Sequence, residues 1–207
     1  MRLLLLAFLA AYLNAEVIDR LVITVDRQAV TELQLDEELR VTAFLNGQPI
    51  IRDLPARREA ADRLVQQLLI RHEMELSRYP LPDSAEVAKY AHQLRSEQGG
   101  SDNFSKKLKE YQLTDAVLQE HLGLQLTTLR FIDYRFSSDL SVSDAEIEFY
   151  YRSESQQAGS RTTPAPQATR ESIRQKLIEQ RTDEALDRWL KEARKRANII
   201  YLDRSLQ

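Results

Sequence analysis

Apolar residues three or four positions apart predict amphipathic helices along most of the chain. The clearest pattern lies between Thr114 and Phe136, where this spacing places two apolar stripes on one helix. A helix with so wide an apolar surface packs on two sides within a helical core, or it leaves part of the second stripe to line a groove for another chain. The first stripe contains Leu118, Leu122, Leu126, Leu129, Ile132 and Phe136, and the second contains Val117, Leu124, Phe131 and Tyr134.

Capping and turn residues predict where the other helices begin and end. Three residue pairs have the spacing of a capping box, and Gly47 and the Gly99–Gly100 pair are placed to end helices. The capping pairs are Thr31 with Gln34, Asp83 with Glu86, and Ser143 with Glu146. The remaining predicted helices cover residues 56–78, 101–111 and 169–197, the first with an inner face of Leu64, Leu68, Leu69, His72 and Leu76.

The two ends of the chain each predict one β-strand. Residues 19–25 alternate between polar and apolar positions and contain β-branched residues, and residues 198–202 are rich in Ile, Tyr and Leu. Because a strand must satisfy its backbone hydrogen-bonding groups on a neighbour, we expect these two strands to pair with each other. The predicted fold class is therefore mainly α, a multi-helix domain with a small antiparallel β-pair formed by the N- and C-terminal strands.

The first 15 residues have the pattern of a secretory signal peptide. Arg2 is followed by an apolar run from Leu3 to Leu13 and then by Asn14 and Ala15. This run is too short to cross about 30 Å of hydrocarbon, which takes roughly 20 residues. We predict cleavage after Ala15 and no integral membrane segment in the mature chain. Since Leu13 is bulky for the third position before a cut, an uncleaved anchor is the alternative.

The composition argues against several classes of chemistry. The 207 residues include no cysteine, which excludes a disulfide framework and a thiol nucleophile, and the net charge of -3 does not favour nucleic acid. His72, His92 and His121 stand apart without the spacing of metal ligands. The five glycines form no phosphate-binding loop. We therefore predict no catalytic residue, no metal and no cofactor.

Four segments, in their order and spacing, resemble one known family. They are the strand, turn and helix of residues 19–31, the helix 64–76 with Pro82-Asp83-Ser84-Ala85-Glu86-Val87, the start Val142-Ser143-Asp144-Ala145-Glu146-Ile147 with Tyr150-Tyr151, and the final helix and strand within residues 173–199. Together they resemble the SurA-type periplasmic chaperones and their parvulin-linked relatives. The resemblance implies that residues 16–152 and 169–202 form one helical chaperone domain, located in the periplasm, that binds extended segments of outer-membrane proteins.

One part of the family pattern is missing. In the family, prolyl isomerase modules of the parvulin type lie between the Tyr-Tyr helix and the returning helix. Here residues 153–168 occupy that position, and their Ser, Gln, Gly, Thr and Pro residues predict a flexible linker. An independent domain takes about 50 residues or more. We therefore expect no isomerase activity and no other enzymatic activity.

The favoured function is an ATP-independent chaperone, a holdase that binds unfolded client polypeptides. Aromatic side chains suit such promiscuous contact because they offer a large area with few rotatable bonds. The candidate peptide-binding residues are Phe104, Tyr111, Phe131 and Tyr134, each of which could equally belong to the core. The alternatives are a non-catalytic subunit dedicated to one envelope partner and, less favoured, a foldase related to the prolyl isomerases.

Overall fold

The computed structural model describes residues 19–136, 141–157 and 166–207, so the proposed signal peptide lies outside the described residues. Within them the chain forms seven α-helices and three β-strands, which confirms the mainly α fold class. The elements are β1 Leu21–Val25, β2 Gln28–Thr31, α1 Glu32–Asn46, α2 Leu54–Leu76, α3 Ser84–Glu97, α4 Ser101–Glu110, α5 Asp115–Phe136, α6 Asp144–Gln157, α7 Gln167–Arg196 and β3 Ile199–Tyr201, followed by a short 3-10 turn at Arg204–Leu206.

The two ends of the chain meet in one antiparallel sheet, as predicted. β1 lies in the centre, with Ile23 opposite Tyr201 of β3 and Val25 opposite Ile199. The second neighbour of β1 is β2, which the sequence did not predict as a strand. It forms because Asp26 adopts a φ of 53° in the turn after β1 and sends the chain back antiparallel. The predicted β-pair is thus part of a three-stranded sheet.

The three predicted capping boxes are confirmed by hydrogen bonds. At α1 the hydroxyl of Thr31 accepts from the backbone N–H of Gln34 at 3.2 Å, and the Gln34 side chain accepts from the N–H of Thr31 at 3.0 Å. Gly47 ends α1 in the left-handed conformation, with a φ of 61°. The same two-way exchange caps α3 through Asp83 and Glu86 and α6 through Ser143 and Glu146.

Three groups of buried side chains form the interior, and α1, α2, α5 and α7 each contribute to two of them. The first group joins the sheet, α1, α2 and α7 and includes Val22, Ile23, Val65, Ala193 and Leu206. The second lies between α1, α3, α4 and the first half of α5. The third joins the ends of α2 and α5 to the second half of α7. α1, α2 and α7 therefore connect the sheet to the rest of the helical body, and α5 joins the second group to the third.

The inner face predicted for α2 is wrong in its second half. His72 is exposed and Leu76 is 66% exposed, whereas Ile70 and Met74 are buried. The reason is a change of partner along the helix. The first half packs against the sheet and α1, and the second half packs in the third group, with α5 and α7, so the buried stripe moves around the helix axis.

The linker predicted for residues 153–168 is shorter than expected at both ends. α6 continues beyond Tyr151 to Gln157, and α7 already begins at Gln167, which leaves residues 158–165 outside the described chain. α6 packs on α7, and Arg170 of α7 forms ion pairs with Asp144 and Glu148 of α6. None of the helices in the described ranges combines the length and hydropathy needed to cross a bilayer.

We expect Leu206→Ala to lower the free energy of unfolding by about 2–4 kcal/mol, because Leu206 is 3% exposed and fills the first group from the C-terminal end of the chain. Urea unfolding followed by circular dichroism measures the change. Leu202→Ala is the matched control, since Leu202 is 52% exposed and its truncation should cost less than about 0.5 kcal/mol. Equal effects of the two substitutions would contradict closure of the core by the C-terminal residues.

Candidate functional site

A groove with a volume of about 410 Å³ lies between α3 and α5. Its apolar surface includes Leu129, which is 58% exposed, and Tyr134, which is 47% exposed. Charged side chains of both signs surround this surface. The groove is lined by Glu86, Lys89, Tyr90 and Gln93 of α3 and by Leu126, Leu129, Arg130, Asp133 and Tyr134 of α5. An apolar strip with a mixed charged border is typical of a surface that binds another chain.

Helical spacing explains why these side chains share one groove. The α5 residues lie three or four positions apart, from Leu126 to Tyr134, so they project from one face. The α3 residues from Glu86 to Gln93 follow the same spacing. Arg130 fixes the two faces together, because it forms an ion pair with Glu86 and donates to the carbonyl of Pro80 at 3.2 Å. The start of α3 is thereby held against the middle of α5.

The groove residue Tyr134 stacks on Tyr79, which lies outside the groove lining. The rings of Tyr79 and Tyr134 are nearly parallel, at an interplanar angle of 17°, and their centroids are 5.1 Å apart. Tyr79 is held by the end of α2, where its N–H donates to the carbonyl of Met74 at 2.9 Å. Tyr134 is therefore oriented before any ligand arrives. A preordered ring loses little conformational entropy when a ligand packs on it.

Of the four aromatic residues proposed from the sequence, only Tyr134 lines this groove. Phe104 is 1% exposed and Phe131 is 0% exposed, so both belong to the core, the alternative that the sequence left open. Phe104 packs edge-on against Phe44 at 5.5 Å, and Tyr111 is half-buried beside the same ring at 5.6 Å. The structure therefore does not bring the four candidates together.

Sequence reasoning also missed two groove residues. Leu129 belongs to the first stripe of α5, which the helical period alone assigns to the interior. It is exposed because α3 does not cover that part of α5. The sequence contains a pattern that could have indicated Tyr90 as a groove residue. Among the Phe, Tyr and Trp residues, Tyr90 is the one on α3, and it lies four residues after Glu86, on the same helix face.

A buried charged network lies on another side of α5, in a cleft of about 320 Å³ between α1, α2 and α5. Its centre is Glu38, which is 4% exposed. The Glu38 carboxylate accepts from Nε of Arg63 at 2.7 Å and from the hydroxyl of Thr42 at 3.2 Å. Nε2 of His121 lies 3.3 Å from its second oxygen. One carboxylate thus connects three helices.

The surroundings of His121 favour its doubly protonated form. Nδ1 lies 3.0 Å from the carbonyl oxygen of Val117, which can only accept, so Nδ1 carries a proton. Nε2 is buried, without a hydrogen bond of good geometry, and faces the Glu38 carboxylate. Burial lowers the pKa of His121, but the close Glu38 carboxylate and the Val117 carbonyl outweigh it, and the pKa is raised above its ordinary value of 6.5.

Glu38 is shifted in the opposite direction. Burial raises the pKa of this carboxyl group, but His121 and Arg63 together lower it below its ordinary value of 4.5. Each of the two groups therefore favours the charged form of the other, which suits an ion pair that holds helices together rather than a proton-transfer pair. In the described ranges no cluster of His, Cys, Asp and Glu has the arrangement of a metal site.

Comparison of the sequence with protein-family models finds no matching family, and comparison with curated proteins finds no match. The resemblance to SurA-type chaperones therefore depends on the four segments named above. The mainly α fold is shown by the structure itself.

The charged network predicts a pH-dependent stability. Because folding raises the pKa of His121 above 6.5, the stabilisation from its proton is complete below pH 6.5 and is lost as the pH rises through the folded-state pKa. Because folding lowers the pKa of Glu38 below 4.5, its contribution is present above pH 4.5 and is lost as the pH falls through the folded-state pKa. We therefore expect the free energy of unfolding to decline above pH 6.5.

Urea unfolding over a series of pH values measures this decline. His121→Gln should be less stable than the wild type below pH 6.5 and should show a flatter slope above it. His92→Gln is the matched control, since His92 is exposed on α3 and its loss should leave the slope unchanged. An unaltered slope in His121→Gln would contradict the assignment of the protonated form.

Proposed function

We propose that the protein is an ATP-independent periplasmic holdase that binds extended apolar segments of unfolded exported polypeptides, outer-membrane proteins among them. The observation that carries the proposal is the groove between α3 and α5, where Leu129 and Tyr134 remain exposed on a helix that otherwise packs on two sides. The resemblance of four sequence segments to SurA-type chaperones supports the periplasmic location in this proposal.

The size and chemistry of the groove suit weak binding to many sequences. A volume of about 410 Å³ lies within the range of ordinary ligand pockets, roughly 300–1,000 Å³. Covering about 100 Å² of apolar surface contributes about 2.5 kcal/mol, and the ordering of the client chain offsets part of it. The resulting affinity is low enough for release without a nucleotide. Contacts of this kind depend on shape and burial, so they accept many client sequences.

The proposal assigns no reaction to the groove. Its Glu86 already accepts from the backbone of Asp83 and pairs with Arg130, so this carboxylate has a structural role. Between α6 and α7 the sequence has only residues 158–166, far fewer than the roughly 50 of an independent domain. A segment of this length is too short to hold an inserted isomerase module.

A second candidate function is a non-catalytic subunit bound permanently to one envelope protein. The observation that favours it is Phe149 on α6, which is 77% exposed. A large aromatic side chain in this position suits a fixed interface with a folded partner. Phe149 does not line the groove between α3 and α5, so the two candidates use different surfaces and can be separated by mutation.

We expect the double substitution Leu129→Ser and Tyr134→Ser to weaken client binding by roughly tenfold, because it removes the exposed apolar area of the groove. The measurement is light scattering by a urea-unfolded outer-membrane protein after dilution, with and without the chaperone. The wild type should suppress aggregation, and the double variant should require a correspondingly higher concentration. Both residues are exposed, so unfolding in urea should show little change in stability.

Phe149→Ser is the matched control, since it removes an exposed aromatic side chain from a helix outside the groove. It should suppress aggregation as the wild type does. If Phe149→Ser no longer suppressed aggregation while the double variant of the groove still did, clients would bind at α6 and not in the groove. Absence of suppression by the wild type at a stoichiometric excess would contradict the holdase function altogether.

A further inference from the structure

A second cleft, of about 640 Å³, lies where the C-terminal ends of α2, α5 and α7 meet the turn between β1 and β2. We name it the arginine cleft after Arg135, Arg188 and Arg196, which line it together with an apolar group. The apolar group consists of Leu76, Phe136 and Trp189. None of these side chains belongs to the groove between α3 and α5.

The charged groups of the arginine cleft are unequally paired. Within the described chain, Arg135, Arg188 and Arg196 have no carboxylate oxygen within 4.0 Å, although most described arginines do. The acidic side chains of the cleft already have donors. Glu192 pairs with Lys195 at 2.7 Å, Glu73 accepts from the hydroxyl of Ser77 at 3.2 Å, and Asp26 accepts from the N–H of Asn198 at 2.9 Å.

The absence of carboxylate partners at the three arginines indicates which kind of ligand group the cleft can bind. Guanidinium groups without a carboxylate partner have N–H donors for an anion. Each carboxylate of the cleft accepts a hydrogen bond, and Glu192 is in addition paired with a cation. Arginine matches the planar geometry of a carboxylate with two parallel hydrogen bonds. A ligand carboxylate therefore complements the cleft better than an ammonium group does.

The apolar group of the cleft adds a second requirement. Leu76 is 66% exposed, and Trp189 is half-buried with its ring against Phe131 at a centroid distance of 4.5 Å. The guanidinium carbon of Arg135 lies 5.9 Å from the ring centroid of Phe136, which places a cation next to the apolar surface. The complementary ligand thus has an apolar side chain close to its carboxylate.

The arginine cleft lies within reach of a chain bound in the groove. Tyr134 lines the groove, and the next residue, Arg135, lines the cleft. Along α5 the six-residue step from Leu129 to Arg135 corresponds to about 9 Å at 1.5 Å per residue. At 3.6 residues per turn, the two side chains also lie about 120° apart around the helix axis, so a chain that reaches both has to pass around α5 as well as along it. An extended segment of more than the roughly three residues that cover the axial distance can place apolar side chains in the groove and an acidic side chain near the cleft.

We propose that the arginine cleft is a subsite for acidic side chains of extended polypeptides, so that the protein prefers segments in which Asp or Glu lies next to apolar residues. This inference depends on the proposed holdase function and specifies its substrate class. The positively charged arginines attract the carboxylate of such a side chain. Small free anions have no apolar surface to pack on the apolar group, so they bind less favourably.

Trp189 provides a direct readout, because it is the one tryptophan of the chain and it lines the cleft. The probes are two end-blocked peptides of about six residues without Trp, identical except that Glu in one is Gln in the other. We expect the Glu peptide to shift the Trp189 emission and to bind roughly three- to tenfold more tightly than the Gln peptide. Added salt should reduce this preference.

The double variant Arg135→Gln and Arg188→Gln should bind both peptides equally. Its matched control is Arg152→Gln with Arg204→Gln, which removes the same charge from arginines that do not line the cleft and should keep the preference. Equal binding of the two peptides to the wild type, with aggregation still suppressed, would overturn the subsite and leave the holdase intact. A Trp189 shift by vesicles of phosphatidylglycerol, but not by the Glu peptide, would overturn it in favour of a membrane surface.

Discussion

The pairing of β1 with β3 is the constraint on which the rest of the structure depends. It brings residues from both ends of the chain into contact and forms one wall of the first buried group. Without β3 and the following turn, Val22 and Ile23 would lose their cover, because Leu206 completes that group. The chain has no disulfide that could hold its ends together instead. Packing of the sheet on α1 and α2 therefore has to maintain the closure.

α5 is packed on two sides and still keeps part of its apolar surface exposed. Its buried residues, such as Leu122 and Phe131, belong to two separate groups and hold the helix on both sides. Leu129 and Tyr134 nevertheless stay exposed on the same helix. A rigid helix with a small uncovered apolar strip can bind an extended chain without a rearrangement of its own. This combination is the physical basis of the proposed holdase, and the arginine cleft would extend it toward segments that contain carboxylates.

The buried network around Glu38 explains how α5 is oriented. Burial of a charged pair is costly, and the cost is compensated only where each charge has good partners. Glu38 has three such partners, on its own helix, on α2 and on α5. The contact fixes one side of α5 against α1, because His121 lies 3.3 Å from Glu38. The rotation of α5 about its axis decides which of its apolar residues face the groove.

The sequence by itself determined the capped helix ends, the mainly α class and the pairing of the terminal strands. The capping box at Thr31 and the end at Gly47 involve atoms a few residues apart, so local patterns suffice to predict them. Only the tertiary structure decided which aromatic residues are accessible: Phe131 is buried and Tyr134 is exposed, although both belong to one predicted stripe. Exposure depends on neighbours contributed by distant parts of the chain, and helical spacing contains no information about them.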